Sequence, residues 1–209
     1  MRNWLLGRKE SVTPLREIID HFNQAAGDEE NFPSTIDPRI YHVQLLLRYF
    51  GDLTGKRVLD LGCGKGRFAR VLQEKYPAAR LCGFDLSEAM LHSAPVGMER
   101  CAGSMTALPF VPAVFDCVYA TESLEHAVDI ETAVAEMCRV LKPDGRLVII
   151  DKNAEQWGRL KTPEWEKWFA RKQLERLLSK HCRTVLSQPI SYWEDVAPDG
   201  LFLAWTAEK

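Results

Sequence analysis

No pair of cysteines in this sequence has the C-x-x-C spacing, although its 209 residues include six cysteines. That spacing is typical of zinc sites and redox-active dithiols, so its absence argues against both kinds of centre. Several cysteines lie in apolar runs, and we predict that they are small buried side chains kept reduced in the cytosol. They are Cys63, Cys82, Cys101, Cys117, Cys138 and Cys182.

The chain also has no apolar run approaching 18 residues, and residues 1–9 contain no apolar stretch of the length that a signal peptide needs. We therefore expect a cytoplasmic protein with no membrane segment.

Positive charge is not in excess, since the formal net charge is −2. A surface that binds long nucleic acids is usually basic, so this balance argues against a nucleic-acid partner. One local basic group is interpreted as the solvated face of a helix: Arg67, Arg70, Lys75 and Arg80.

Hydrophobic and charged residues make up 46% and 27% of the chain, as in a globular protein, and the length fits one domain. From residue 56, short apolar runs alternate with amphipathic segments. This pattern predicts a parallel sheet with helices on both faces. The runs span residues 57–61, 80–84, 99–102, 115–120 and 146–150, and the helices between them begin near Arg67, Glu88 and Ile130, the last being ended by residues 142–145.

Two helices are predicted before the sheet. Thr13 and Pro14 are typical of a helix start, and so are Asp37 and Pro38. Gly51 is expected to end the second helix.

After the fifth apolar run comes an insertion rich in tryptophan, followed by a predicted helix over residues 172–181. Residues 184–192 and 201–206 are strand-like and are separated by a Pro-Asp-Gly turn signal at 198–200. They predict an antiparallel hairpin at the end of the sheet.

The strongest local feature is the segment V-L-D-L-G-C-G-K-G-R-F-A at residues 58–69, where an apolar strand runs into Gly62, Gly64 and Gly66. Such glycines let a ligand approach the main chain at the mouth of an α/β sheet. A P-loop pattern is absent, and a dinucleotide fingerprint would need glycine where Arg67 stands. A nucleoside with a zwitterionic tail fits better, because Asp60 would repel a pyrophosphate but attract an ammonium.

The D-x-G-x-G-x-G pattern resembles the first motif of class I S-adenosylmethionine-dependent methyltransferases, and in particular the small-molecule enzymes of the ubiquinone-biosynthesis type. Further segments follow in the order and spacing of that family, at residues 80–87, 103–110, 115–126 and 141–148. The resemblance implies an α/β fold: a Rossmann-like, seven-stranded, mostly parallel sheet with helices on both faces and a C-terminal antiparallel hairpin. It implies a helical cap at 1–51, which contributes to the acceptor site, and a cofactor-binding methyltransferase domain at 52–209 with an insertion at 152–170.

The resemblance also implies a cofactor site for S-adenosylmethionine, with S-adenosylhomocysteine as product. Asp85 would accept hydrogen bonds from the ribose hydroxyls, although helix capping is an alternative for it. Ser104 stands where relatives often carry an aspartate that contacts the adenine amino group, and Met105 either borders the adenine or belongs to the core. The expected cofactor-binding residues are Asp60, Gly62, Cys63, Gly64, Asp85, Leu86, Ser104, Met105 and Thr121.

The catalytic candidates are Glu122, Glu125 and His126, which follow the fourth predicted strand. His126 suits the role of a general base that removes a proton from the acceptor. The E-x-x-E-H pattern also resembles ubiquinone-pathway O-methyltransferases and small-RNA 2′-O-methyltransferases, in which these residues bind a divalent metal. Two carboxylates and an imidazole suit a magnesium- or manganese-like ion. The alternative is that the glutamates and the histidine only hold the loop.

The acceptor is expected to be a small molecule methylated at oxygen, nitrogen or carbon. The alternatives are an RNA or protein acceptor and a non-catalytic S-adenosylmethionine-binding subunit; the pattern does not indicate an oligomeric state. Aromatic residues at the pocket rim suggest a planar or apolar acceptor, unless the tryptophans pack the insertion's own core. The rim candidates are His21, Phe22, Arg39, Tyr41, His42, Trp157, Trp165 and Trp168.

A thermal-shift comparison tests the cofactor class. We expect S-adenosylmethionine and S-adenosylhomocysteine to raise the melting temperature, because a ligand that binds only the folded state stabilises it. NAD and NADP serve as matched controls and should leave the melting temperature unchanged. Stabilisation by a dinucleotide alone would contradict the interpretation of the glycine loop.

Overall fold

The computed structural model describes residues 15–209, so the helix start predicted at Thr13 and Pro14 lies outside the described residues. Seven strands form one sheet in the order β3-β2-β1-β4-β5-β7-β6. The strands β1 to β5 are parallel to their neighbours, and β7 runs antiparallel between β5 and β6. The predicted sheet and its terminal hairpin are confirmed. The strands are β1 (Arg57–Leu61), β2 (Arg80–Asp85), β3 (Glu99–Ala102), β4 (Phe115–Thr121), β5 (Leu141–Lys152), β6 (Thr184–Ile190) and β7 (Phe202–Glu208).

Six α-helices accompany the sheet in the described part of the chain. They are α1 (Leu15–Ala25), α2 (Tyr41–Phe50), α3 (Arg67–Lys75), α4 (Glu88–Leu91), α5 (Ile130–Val140) and α6 (Arg171–Leu178). Between β5 and α6 the chain forms only a short 3-10 turn, Ala154–Gln156, as regular structure. The predicted last helix is therefore shorter than expected, because it ends at Leu178 and a turn follows.

Helix α2 begins at Tyr41, whereas the sequence predicted a start at Pro38. The Asp37 carboxylate accepts a hydrogen bond from the backbone N–H of Arg39 (2.9 Å), so Asp37 stabilises a turn ahead of the helix. Ile40 then has an extended backbone and bridges to Trp193.

The segment 142–145, predicted as a stop for the preceding helix, belongs to β5, because Leu141 already pairs with Phe115.

The core has two halves, one on each face of the sheet. Helices α5 and α6 cover one face together with the indole of Trp205, and α2 and α3 cover the other with Phe50 and Tyr119. Strand β4 is buried along nearly its whole length, as expected for a central strand covered on both sides. All six cysteines are free thiols and five are buried. Among residues 15–209, no helix is long and apolar enough to cross a membrane.

The strand order places a crevice at one edge of the sheet. Strand β1 lies between β2 and β4, so connections leave β1 and β4 in opposite directions. In open α/β sheets, ligands bind outside the carboxyl ends of the strands at such a switch point. The carboxyl ends of β1, β2 and β4 meet there, and α1 lies across them.

Candidate active site

A cavity of about 610 Å³ opens at this edge of the sheet. One end is lined by the glycine loop and by residues that follow β2 and β3. The other end is lined by the turn that follows β4, by the insertion after β5 and by α1. Residues predicted to bind the cofactor line the first end, here called the cofactor end, and His126 lines the second, here called the acceptor end.

The wall at the cofactor end is largely main chain. Gly62 has φ +72° and its N–H donates to the carbonyl oxygen of Phe84 (2.7 Å). A Cβ atom on Gly62 would lie 2.4 Å from Cβ of Ser123, so only glycine fits between the ends of β1 and β4. Gly64 has φ +52°, and a Cβ there would meet nothing within 4 Å, because it would point into open space. The loop thus leaves a backbone-lined cradle.

Asp85 ends β2 and ties the glycine loop to the next helix. Its Oδ2 accepts from the N–H of Gly64 (2.7 Å), and its Oδ1 accepts from the N–H of Ser87 (2.8 Å). Burial raises the pKa of Asp85, although these hydrogen bonds act in the opposite direction. Helix α4 is capped by Ser87, whose Oγ accepts from the N–H of Met90 (3.1 Å). The predicted cofactor residues on the cavity wall are Gly62, Cys63, Gly64, Asp85, Leu86, Ser104, Met105 and Thr121.

Asp60 lies behind this wall and does not line the cavity among the described residues. Its Oδ2 is buried without a hydrogen-bond partner. Burial raises the pKa of Asp60 to about 7; the neighbouring Tyr119 hydroxyl lowers it and the charge of Asp85 raises it. An orphaned carboxylate behind an open backbone cradle fits a ligand with a positively charged group at this end.

His126 stands at the acceptor end, in the 3-10 turn Leu124–His126 that follows β4. The Phe22 ring of α1 packs edge-on against it, with ring centroids 5.0 Å apart. Its Nδ1 is buried without a partner. Burial, together with the charges of Lys152 and His21, lowers the pKa of His126 to about 3. The imidazole is therefore neutral at pH 7 and can accept a hydrogen bond.

The two predicted glutamates lie in different surroundings. Glu122 has φ +51° and its Oε1 accepts from Nη2 of Arg67 (3.0 Å). Glu125 is buried, and its Oε1 accepts from Nζ of Lys152 at the end of β5.

The structure does not bring the three predicted metal ligands together. In the described chain, Glu125, His126 and Glu166 offer ligand atoms within 4.8 Å of one another, and Glu122 is outside this group. The residues do not fit a metal ion, because Lys152 holds the carboxylates of Glu125 and Glu166, the latter at 3.1 Å. Lys152 and Glu166 were missed by the sequence reasoning. Lys152 carries a detectable signal, since it is a charged residue at the end of an apolar strand.

The predicted rim residues divide into two groups. His21 and Phe22 line the cavity. Six others do not line it: Arg39, Tyr41, His42, Trp157, Trp165 and Trp168. The Trp157 and Trp168 rings pack edge to face, with their centroids 5.3 Å apart. This contact agrees with the alternative that the tryptophans pack the insertion's own core. The part of the chain that precedes β1 thus reaches the cavity through α1 and through the loop that follows it.

A loop after α1 is fastened to the glycine loop. Nζ of Lys65 donates to Oε1 of Glu29 (2.7 Å) and to the carbonyl oxygen of Asp28 (3.0 Å). Oγ of Ser87 donates to the side-chain oxygen of Asn23 (2.7 Å). These contacts hold α1 over the cofactor end.

Comparison with known proteins gives a matching family model and several similar proteins. Residues 59–149 match the family model described as a methyltransferase domain. A demethylmenaquinone methyltransferase from Lactococcus lactis is 32% identical over 155 residues, which is 68% of this chain and 62% of that protein. A ubiquinone biosynthesis O-methyltransferase from Idiomarina loihiensis is 34% identical over 115 residues, 50% of this chain and 46% of that protein. The chain therefore spans about half to three fifths of the length of these relatives.

The fold is also that of a solved methyltransferase. Phosphoethanolamine N-methyltransferase 2 from Haemonchus contortus, in complex with S-adenosyl-L-methionine, superposes with a TM-score of 0.74 at 18% identity. The match covers 95% of this chain and 60% of that protein. At this identity the likeness shows the fold.

The low pKa of His126 predicts a measurable effect on stability. Below its ordinary pKa of 6.5, the unfolded chain takes up a proton that the folded chain does not bind, so stability falls as the pH falls. From about pH 7 to about pH 5, wild type should lose about 1–2 kcal/mol more unfolding free energy than His126→Gln. Urea unfolding of the ligand-free protein at both pH values measures the difference.

His181→Gln is the matched control for this measurement, because His181 is exposed. Its loss of unfolding free energy between the two pH values should equal that of the wild type. Equal pH dependence of wild type and His126→Gln would show that His126 is not held neutral in the folded protein.

Proposed function

Because this chain belongs to the class I S-adenosylmethionine-dependent methyltransferase family, we propose that it transfers the methyl group of S-adenosylmethionine to a small-molecule acceptor. The observation that supports this proposal is the cavity that joins the glycine loop and Asp85 to His126 under α1. A continuous space that contains both ends is what an in-line transfer between two bound molecules requires.

At the cofactor end, this chain's main chain and acids do the binding. The free lone pairs of Asp85 accept from the ribose hydroxyls, while its bonds to Gly64 and Ser87 hold the carboxylate in place. Ser104 and Met105 border the adenine. Asp60 acts from behind the loop, and a positive ligand charge nearby favours its ionised form.

At the acceptor end, His126 orients the nucleophile. S-adenosylmethionine supplies an activated methyl group, so the protein needs only to align the acceptor and remove a proton. Neutral His126 accepts a hydrogen bond from the acceptor and takes its proton as the new bond forms.

The small size of the acceptor is inferred from the cover over the cavity. Phe22 and Phe32 close its side near α1, and Pro163 of the insertion lies on its wall. Apolar side chains of this kind favour a compact and partly apolar acceptor. The names of the Lactococcus lactis and Idiomarina loihiensis relatives, which refer to menaquinone and ubiquinone, agree with such an acceptor.

Asp85→Ala tests the cofactor site. Loss of hydrogen bonds to a charged group costs about 1.5–3 kcal/mol each, so affinity for S-adenosylhomocysteine should fall by a factor of about 10 to 150 or more. Isothermal titration calorimetry measures it. The matched control is Cys63→Ser, in the same loop, where only the backbone is expected to bind and affinity should change little. Unchanged affinity in Asp85→Ala would contradict the ribose-binding role.

The acceptor class is tested by labelling. S-adenosylmethionine with an isotopically labelled methyl group is incubated with the protein and either a small-molecule extract or the protein and RNA fractions of the same cells. We expect label in the small-molecule fraction and a large loss of it with His126→Ala. Label confined to a macromolecular fraction would overturn the small-molecule assignment, and binding without any transfer would favour a non-catalytic subunit.

A further inference from the structure

A buried lysine occupies the centre of the acidic group beside His126. Nζ of Lys152 contacts Oε1 of Glu125 and lies 3.1 Å from Oε1 of Glu166. Oε1 of Glu125 is 3.6 Å from Nε2 of His126. The side chains of the two glutamates are 1% and 4% exposed, so both are shielded from water. The Lys152 ammonium is the cation in direct contact with both of them.

The same side chains are those that a divalent ion would need. The ligand atoms of Glu125, His126 and Glu166 all lie within 4.8 Å of one another, a spacing that suits one shared cation. The Lys152 ammonium already contacts Oε1 of both glutamates. A metal ion would have to displace it or share the space with a like charge, which is costly at such short range away from water.

The glutamate of the insertion is also held by a second side chain. Nε1 of Trp168 donates to Oε1 of Glu166 (2.7 Å), the oxygen that Lys152 contacts. The centre is thus a lysine held between two buried acids whose positions are fixed by the chain.

The other glutamate of the E-x-x-E-H pattern is held in the same manner. Oε1 of Glu122 accepts from Arg67 (3.0 Å), so it too is balanced by a cation of this chain. Both glutamates are thereby paired with basic side chains from other elements, α3 and β5.

We infer that Lys152 takes the place of a divalent metal ion at the acceptor end of the cavity and that methyl transfer by this chain needs no added metal. The claim that methyl transfer needs no metal rests on the proposed function, whereas the claim that Lys152 occupies the cation position does not. Lys152 acts as a positioning residue: it fixes Glu125, the neighbour of His126, and Glu166, on the insertion. The acceptor is then oriented by a hydrogen bond to His126, without chelation.

The test measures Mn²⁺ binding by calorimetry after the protein has been stripped with EDTA and desalted. Wild type and Lys152→Arg, the matched control that keeps the charge, should show no saturable binding at this site. Lys152→Met keeps the length and removes the charge, so it should bind one Mn²⁺ with an affinity greater by on the order of a hundredfold. Adding Glu166→Gln to Lys152→Met should abolish that binding.

Saturable Mn²⁺ binding by wild type that is lost in Glu166→Gln would overturn the inference, and this result does not depend on whether Lys152→Met folds. A folded Lys152→Met that binds no Mn²⁺ would also overturn it. Titration with S-adenosylhomocysteine in parallel separates the two proposals: failure to bind it contradicts the proposed function and leaves the cation result standing. Label transfer in EDTA should equal transfer without EDTA, and loss of transfer in EDTA would refute metal independence.

Discussion

The close approach of the glycine loop to the end of β4 is the contact on which the site depends. Gly62 adopts a left-handed conformation, and there is no room for a Cβ between it and Ser123. Oγ of Ser123 donates to the carbonyl oxygen of Leu61 (2.8 Å), so the end of β4 is bonded to the end of β1. This contact turns the chain sharply into α3 and leaves the backbone of Gly64 facing the cavity.

The acceptor end is organised by acidic side chains that the fold buries around one lysine of the chain. Glu125, Asp151 and Glu166 are buried acids, and Lys152 lies among them. Breaking such a group by removing one member is strongly destabilising, because the remaining charge is left uncompensated. Such a group holds its members in one arrangement, and here it sets the position of the turn that carries His126. The insertion after β5 is joined to that turn, since the N–H of Lys167 donates to the carbonyl oxygen of Glu125 (2.9 Å).

Sequence patterns were informative where a local rule decides the structure. Alternating apolar runs predicted the sheet, and the three glycines predicted a ligand-facing loop, because strand burial and positive φ angles are properties of neighbouring residues. Patterns failed for Pro38, where the turn made by Asp37 delays α2. For Glu122 and Glu125, three residues apart in the chain, the pattern left a shared metal and a loop-holding role open; in the structure the backbone at Glu122, with φ +51°, directs its side chain to Arg67.

By itself, the sequence determined the class of fold, the glycine loop and the acid at the end of β2, because each depends on residue types at short and regular spacing. Only the tertiary structure decided which side chains share the acceptor end. Lys152 and Glu166 come from β5 and from an irregular insertion, and they meet Glu125 through contacts between residues 27 and 41 positions apart. The balance of charge at a buried point is a sum over everything that packs there, so no local pattern contains it.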